Sequence, residues 1–294
     1  MDGECQLHND IKNKFERNDD GAYRRTGEEL VLGQVDFINC LPINLPIELD
    51  EVKINTTLVK GVPSELNKLI LNNEIDIAPI SSLTYLENKE KLLPIADLCI
   101  ASNGPADSVL LFSKFPIEEL GGVNIALSHA SATSNRLLEI IFKEFLKITA
   151  TFTVEALHAT PLQQSNKYPA YLLIGDHALH EYSKMPRDIF IYDLGSLWKK
   201  HTGLPMVFGI WVARKEIVKT VHKLPLTEQL HRAKEIGLGP MFEKVIKKAQ
   251  EKILLSKEFY STYFQHLSYD YTKEYKKGLE LFEKHCKLKE RVTN

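Results

Sequence analysis

Small polar residues recur in this chain where strands end. Asn39 follows the apolar run at 30–38, and Ser81 and Ser82 follow a short strand at 74–80. Ser108 opens a strand just past Gly104, and Ser131, Thr133 and Ser134 stand between a strand at 123–127 and a long helix. Gly175 and Asp176 follow a strand at 171–174. Each alone reads as a cap or a turn. As a set they have a further use. A helix N-terminus offers free N–H groups and a positive dipole end, so it binds a carboxylate without Lys or Arg. Several such ends facing one crevice suit a small acid with more than one carboxylate. Asn, Ser and Thr are poor bases, which leaves Asp176 as the one acid in the set.

The familiar enzyme signatures are missing. There is no P-loop, no HExxH and no GxSxG, and Gly237-Leu238-Gly239-Pro240 lacks the third glycine of a dinucleotide-binding turn. In Asp176-His177-Ala178-Leu179-His180 two histidines three apart can share a helix face, but no third ligand is visible nearby, and they read as surface or capping histidines. No metal and no cofactor is expected.

The elements that must position these residues alternate in type. Strands are expected at 30–38, 52–59, 74–80, 92–101, 108–113, 123–127, 151–154, 171–174, 189–192 and 206–212, from buried apolar runs or period-two alternation. Gly61-Val62-Pro63 opens a helix with an apolar face on Leu66, Leu69 and Ile70. Pro42 ends the first strand. Helical stripes dominate from 226 to 286. This is a mixed α/β chain, and such lobes bind ligands at the carboxyl ends of their strands. With Gly121-Gly122 taken as a boundary, the expected division is a tail at 1–29, lobe 1 beginning at 30–115, lobe 2 at 116–212, and a helical region at 213–294 packing back on lobe 1.

Composition sets the outer limits. The chain has 294 residues, 44% of them hydrophobic and 26% charged, and a formal net charge of −2. That excludes a wholly disordered chain and a nucleic-acid binder working by bulk charge. Residues 1–29 are polar with no apolar signal core, so they read as a disordered tail. No apolar run is long enough to span a bilayer. Cys5, Cys40, Cys99 and Cys286 are scattered, as in a reduced cytoplasmic protein, and Cys40 reads as a buried structural thiol. Oligomeric state is not encoded in any of these features.

Six motifs in order carry a resemblance. They are Val35-Asp36-Phe37-Ile38-Asn39-Cys40-Leu41-Pro42, Glu74 through Ser82, Gly104-Pro105-Ala106-Asp107-Ser108-Val109 through Ser113, Ser131-Ala132-Thr133-Ser134, Leu173-Ile174-Gly175-Asp176-His177-Ala178-Leu179, and Tyr192-Asp193-Leu194-Gly195-Ser196-Leu197-Trp198 through Thr202-Gly203-Leu204-Pro205. From about Leu30 to about Cys286 the chain resembles the chorismate dehydratases of the futalosine route to menaquinone. The resemblance implies a type 2 periplasmic-binding-protein-like fold with two α/β lobes, a central cleft and a helical C-terminal region. It implies a lyase that takes chorismate to 3-[(1-carboxyvinyl)oxy]benzoate and water. Asn39 and Ser108 are then expected to contact substrate, with Asn39 in a catalytic role. Ser82, Ser131, Thr133, Ser134 and Gly175 are expected to line the carboxylate sites. The related 1,4-dihydroxy-6-naphthoate synthase and a non-catalytic solute-binding protein are the alternatives. The run Gly203 to Trp211 favours the dehydratase.

In that reaction the departing ring proton is conjugated with the ring carboxylate, so donors at a helix N-terminus strengthen as charge develops. Two groups can take the proton: Asp176, or the substrate's own side-chain carboxylate held against the ring. The second is favoured because an intramolecular group in the right place is worth about 7–11 kcal/mol at best.

Overall fold

The computed structural model describes residues 15–17, 23–25, 30–155, 167–184, 188–218 and 225–290. Most of the expected tail therefore lies outside the described residues. Within it, β1 (Phe15–Arg17) and β2 (Tyr23–Arg25) pair antiparallel in a sheet of their own.

The main body begins with β3 (Leu30–Val35), buried at all six positions. A single 3-10 turn at Ile38–Cys40 leads into α1 (Leu41–Glu48). The strand ends at Val35, short of the expected 38 and well before Pro42; Pro42 sits instead in the first turn of this helix, where its missing N–H costs nothing. The helix carries no apolar stripe because residues 41–47 are all buried, so it shows no 3.6-residue pattern in the sequence. Next come β4 (Thr56–Gly61), α2 (Pro63–Leu71), β5 (Ile77–Ser81), α3 (Ser82–Glu87) and β6 (Leu92–Ser102). The strand expected at 52–59 is thus displaced toward 61, and an extra helix makes the start β-α-β-α-β.

The chain then crosses to β7 (Val109–Ser113) and continues through β8 (Asn124–Ser128), α4 (Ala132–Ile140), β9 (Thr151–Glu155), β10 (Ala170–Ile174), α5 (Gly175–Ser183), β11 (Phe190–Asp193) and α6 (Leu194–Thr202). It returns as β12 (Met206–Arg214), followed by α7 (Leu226–Leu238), α8 (Phe242–Lys252), α9 (Lys257–His266), β13 (Leu267–Asp270) and α10 (Lys273–Glu290).

Two sheets result. The first has the order β13-β6-β12-β5-β3-β4 and the second β11-β7-β10-β8-β9. In the first, β3 runs parallel to β4 and β5; in the second, β8 runs parallel to β9 and β10. The lobe boundaries differ from those read off the sequence, because β7 belongs to the second sheet and β12 to the first. The crossings therefore fall at 103–108 and 203–205. Gly121-Gly122 is only a turn before β8, with Gly122 at φ +73°. The first crossing is made at Asn103-Gly104-Pro105, where Gly104 takes φ +142°. Among the C-terminal helices, α7 and α8 pack on α1, and α10 packs on β12. Gly237 is required for the first of these contacts, since a Cβ there would collide with the Pro42 carbonyl.

One buried ion pair pins the first sheet. The Asp76 carboxylate accepts from Val31 N–H at 2.8 Å and meets the Arg214 guanidinium at 2.6 Å, so it joins the starts of β3 and β5 to the end of β12. Asp76 is 2% exposed. Arg214→Met removes the cation from that carboxylate, and unfolding stability is expected to fall by about 3–5 kcal/mol. Urea denaturation checks this, and a loss under about 1 kcal/mol contradicts the pinning role.

Candidate functional site

A cleft of about 630 Å³, counted out to its open mouth, lies between the two sheets. Its walls come from the carboxyl ends of β3 and β5 in one lobe and from the segments after β8 and β10 in the other. Val35, Phe37, Ile100, Phe208 and Leu267 make it mostly apolar. Asn39, Ser81, Ser108, Ser131 and Ser134 supply its polar side chains, and no charged side chain lines it among the described residues.

Each polar group is set by local structure. Ser131 is the N-cap of α4: its Oγ accepts from Ser134 N–H at 3.2 Å and lies 3.1 Å from the Ser134 hydroxyl. The first turn of α4 thereby faces the cleft with its positive end. Asn39 sits in the 3-10 turn after β3, and its Oδ1 is buried without a protein partner. Its backbone carbonyl accepts from the Tyr269 hydroxyl at 2.8 Å. Ser108 Oγ donates to Ala106 O at 3.2 Å and accepts from the Tyr263 hydroxyl at 3.0 Å.

Three of the expected residues stand elsewhere. Ser82 is fully buried behind the cleft wall, with an Oγ that has no protein partner. Its neighbour Ser81 faces the cleft instead, held by Asn67 Nδ2 at 3.2 Å and Thr84 Oγ1 at 2.7 Å. Thr133 Oγ1 accepts from Leu83 N–H at 2.9 Å, so it ties α4 to α3 across the lobes. Asp176 lies outside the cleft lining. Its Oδ1 accepts from Ile38 N–H at 2.8 Å, and its Oδ2 takes the Lys252 ammonium at 3.0 Å. Lys252 also reaches Asp36 Oδ1 at 3.0 Å. Burial lifts the Asp176 carboxyl above its ordinary range, and Lys252 offsets this only in part. Burial likewise pushes the Cys40 thiol up.

Gly175 lines the cleft and could not be another residue. Its φ is +55°, its N–H donates to Ser108 O at 2.7 Å, and an added Cβ would stand 2.6 Å from the Phe37 ring. The ring of one lobe rests on the bare backbone of the other.

The sequence reading missed the outer supports. Asp193, the N-cap of α6, accepts from Ala106 N–H at 3.0 Å and Asp107 N–H at 2.7 Å, which shapes the crossing just before Ser108. Its capping role is legible as Asp193 followed by Ser196, but its hold on a loop 86 residues away is not. Lys252, Tyr263 and Tyr269 lie on amphipathic or short elements that carry no local mark of a site. Among the described residues no group of three or more His, Cys, Asp or Glu is arranged to hold a metal ion. No helix among them is long and apolar enough to cross a membrane.

Gly175→Ala is expected to cost about 1–3 kcal/mol from the left-handed backbone alone. Because the Phe37 contact must also open, the radius of gyration in small-angle scattering should rise. An unchanged radius with unchanged stability contradicts the interlobe contact.

Residues 30–288 match the family described as menaquinone biosynthesis. A chorismate dehydratase from Thermus thermophilus is 30% identical over 227 residues, covering 72% of this chain and 79% of that protein. One from Campylobacter jejuni is 32% identical over 206 residues, covering 68% and 75%. Among solved structures, a protein from Archaeoglobus fulgidus superposes with a TM-score of 0.71 at 16% identity, covering 90% of this chain and 99% of that one. The periplasmic aliphatic sulphonate binding protein of Escherichia coli gives 0.61 at 14% identity, covering 91% and 89%. These structural likenesses show the expected periplasmic-binding-protein-like fold.

Proposed function

The chain belongs to the menaquinone biosynthesis family, and from that membership we propose that it is a chorismate dehydratase, a hydro-lyase that converts chorismate to 3-[(1-carboxyvinyl)oxy]benzoate and water. The observation that carries this reading is the chemistry of the cleft. It pairs an apolar wall with one amide, several hydroxyls and a helix N-terminus, and it has no cationic side chain among the described lining residues. A six-membered ring with one carboxylate on it and a second on its enolpyruvyl side chain matches such a surface.

The reaction follows from the substrate and these donors. The C–H bond beside the enolpyruvyl ether breaks, and its electron pair spreads through the ring double bond toward the ring carboxylate. Donors aimed at that carboxylate hold more charge in the transition state than in the ground state, which lowers the barrier. The adjacent C–OH bond then breaks, the ring becomes aromatic, and the leaving hydroxide recovers a proton as water. The first turn of α4 with Ser131 and Ser134 is suited to one carboxylate. Asn39 and Ser108 are suited to orient the second carboxylate or the departing hydroxyl.

The base is best read as the substrate's own side-chain carboxylate. Both oxygens of Asp176 are engaged, one by Ile38 N–H and one by Lys252, and neither faces the cleft. A group already near the ring gains what orientation supplies.

Purified protein incubated with chorismate should yield a product lighter by one water, read by mass and ultraviolet absorbance. Tight binding without turnover favours a solute-binding protein. Asn39→Ala should lower kcat by about 10²–10³, as removal of a directed donor does. Asp176→Asn should keep single-turnover rates within about 10²-fold of the parent, whereas a fall of about 10⁴ with binding intact contradicts the substrate as base.

A further inference from the structure

One short segment at the junction of α9 and β13, Tyr263 to Tyr269, supplies one residue of the cleft wall and three contacts behind it. Tyr263 donates its hydroxyl proton to Ser108 Oγ at 3.0 Å. His266 Nδ1 lies 2.6 Å from the carboxylate of Asp107, the residue before Ser108. Leu267 is part of the cleft wall. Tyr269 donates to the Asn39 carbonyl at 2.8 Å. Tyr263 and His266 share a helix face by their spacing of three. Tyr269 is brought to the opposite side by the switch into β13, which is registered on β6 through Leu267 and Ser102.

The contacts fall on the two polar residues that the reaction needs most. Ser108 uses its own proton on Ala106 O while receiving one from Tyr263. A hydroxyl that accepts one hydrogen bond becomes a stronger donor in the next, so substrate can capture the Ser108 proton in place of Ala106 O. Asp107 adopts φ +54°, a left-handed conformation uncommon outside glycine that Asp tolerates better than most residues. Asp193 on its N–H and His266 on its carboxylate hold it there. Burial raises the Tyr263 and Tyr269 phenols well above their usual range, so both stay protonated donors throughout the working pH range.

We propose that Tyr263 and Tyr269 are positioning residues for the reaction, Tyr263 fixing and polarising the Ser108 hydroxyl and Tyr269 fixing the Asn39 turn. This rests on the dehydratase reading, because the two residues they hold are the ones that reading assigns to substrate.

Phenylalanine substitutions remove the hydroxyls and keep the rings. Tyr260→Phe is the control: Tyr260 lies on the same helix, is equally buried, and donates to Ile253 O, away from the cleft. All three variants lose one buried hydrogen bond, so similar falls in melting temperature are expected. Only Tyr263→Phe and Tyr269→Phe should lose kcat on chorismate, by about tenfold each, with KM little changed. Tyr263→Phe introduced into Ser108→Ala should cost nothing further, because the residue it acts through is gone. The proposal is overturned if Tyr263→Phe and Tyr269→Phe both match Tyr260→Phe in kcat. It is overturned for Tyr263 if the loss repeats in full in the Ser108→Ala background. An inactive parent protein overturns the dehydratase reading and this one with it; an active parent with indifferent variants overturns this one alone.

Discussion

The cleft depends on one half-buried carboxylate, that of Asp176. Asp176 begins α5 in the second lobe, yet its two oxygens belong to the first lobe and the C-terminal region through Ile38 N–H and Lys252. A hydrogen bond to a charged acceptor contributes about 1.5–3 kcal/mol. The same junction brings the Phe37 ring onto Gly175 and sets Asn39 one residue beyond the anchored amide. The junction of the lobes and the placement of the cleft's amide therefore share one set of contacts. Thr133 closing on Leu83 N–H repeats the device at the other helix N-terminus. In each case a side chain that could have faced a ligand instead joins the lobes.

With those groups spent on closure, the cleft is left with neutral donors. That suits a dianion whose charge must move during the reaction. A fixed cation binds ground state and transition state alike, whereas N–H and O–H groups aimed at one carboxylate gain as that carboxylate gains charge. The apolar lining strengthens each of these hydrogen bonds by lowering the local dielectric. The near-zero net charge of the chain is consistent with recognition by placement rather than by bulk attraction.

Much of this order was readable in the sequence wherever a local rule governs it. Buried strands announce themselves as apolar runs, and Ser131 before Ala132-Thr133-Ser134 announces a cap. Asn39, Ser108, Ser131, Ser134 and Gly175 all reach the cleft because strand ends converge there in a two-lobed α/β chain. What failed is non-local. Nothing near Asp176 shows that its partner is an amide 138 residues away. Helix α1 is buried all round and so has no stripe, and β13 is four residues long between helices. The glycine pair misled for a similar reason: Gly121-Gly122 and Gly104 both permit turns, and only strand pairing decides which turn changes sheets. Ser82 and Ser81 are adjacent, and which one faces the cleft follows from the start of α3 at residue 82.

The central claim is that a dianion is held here by neutral donors in the cleft between the lobes. A crystal structure with 3-[(1-carboxyvinyl)oxy]benzoate bound tests it most directly. The account predicts one carboxylate on the first-turn N–H groups of α4 with Ser131 and Ser134, the other within hydrogen-bond reach of Asn39 or Ser108, and Asp176 still on Ile38 N–H. A carboxylate paired to a Lys or Arg side chain, or Asp176 turned into the cleft against the ring, would contradict it.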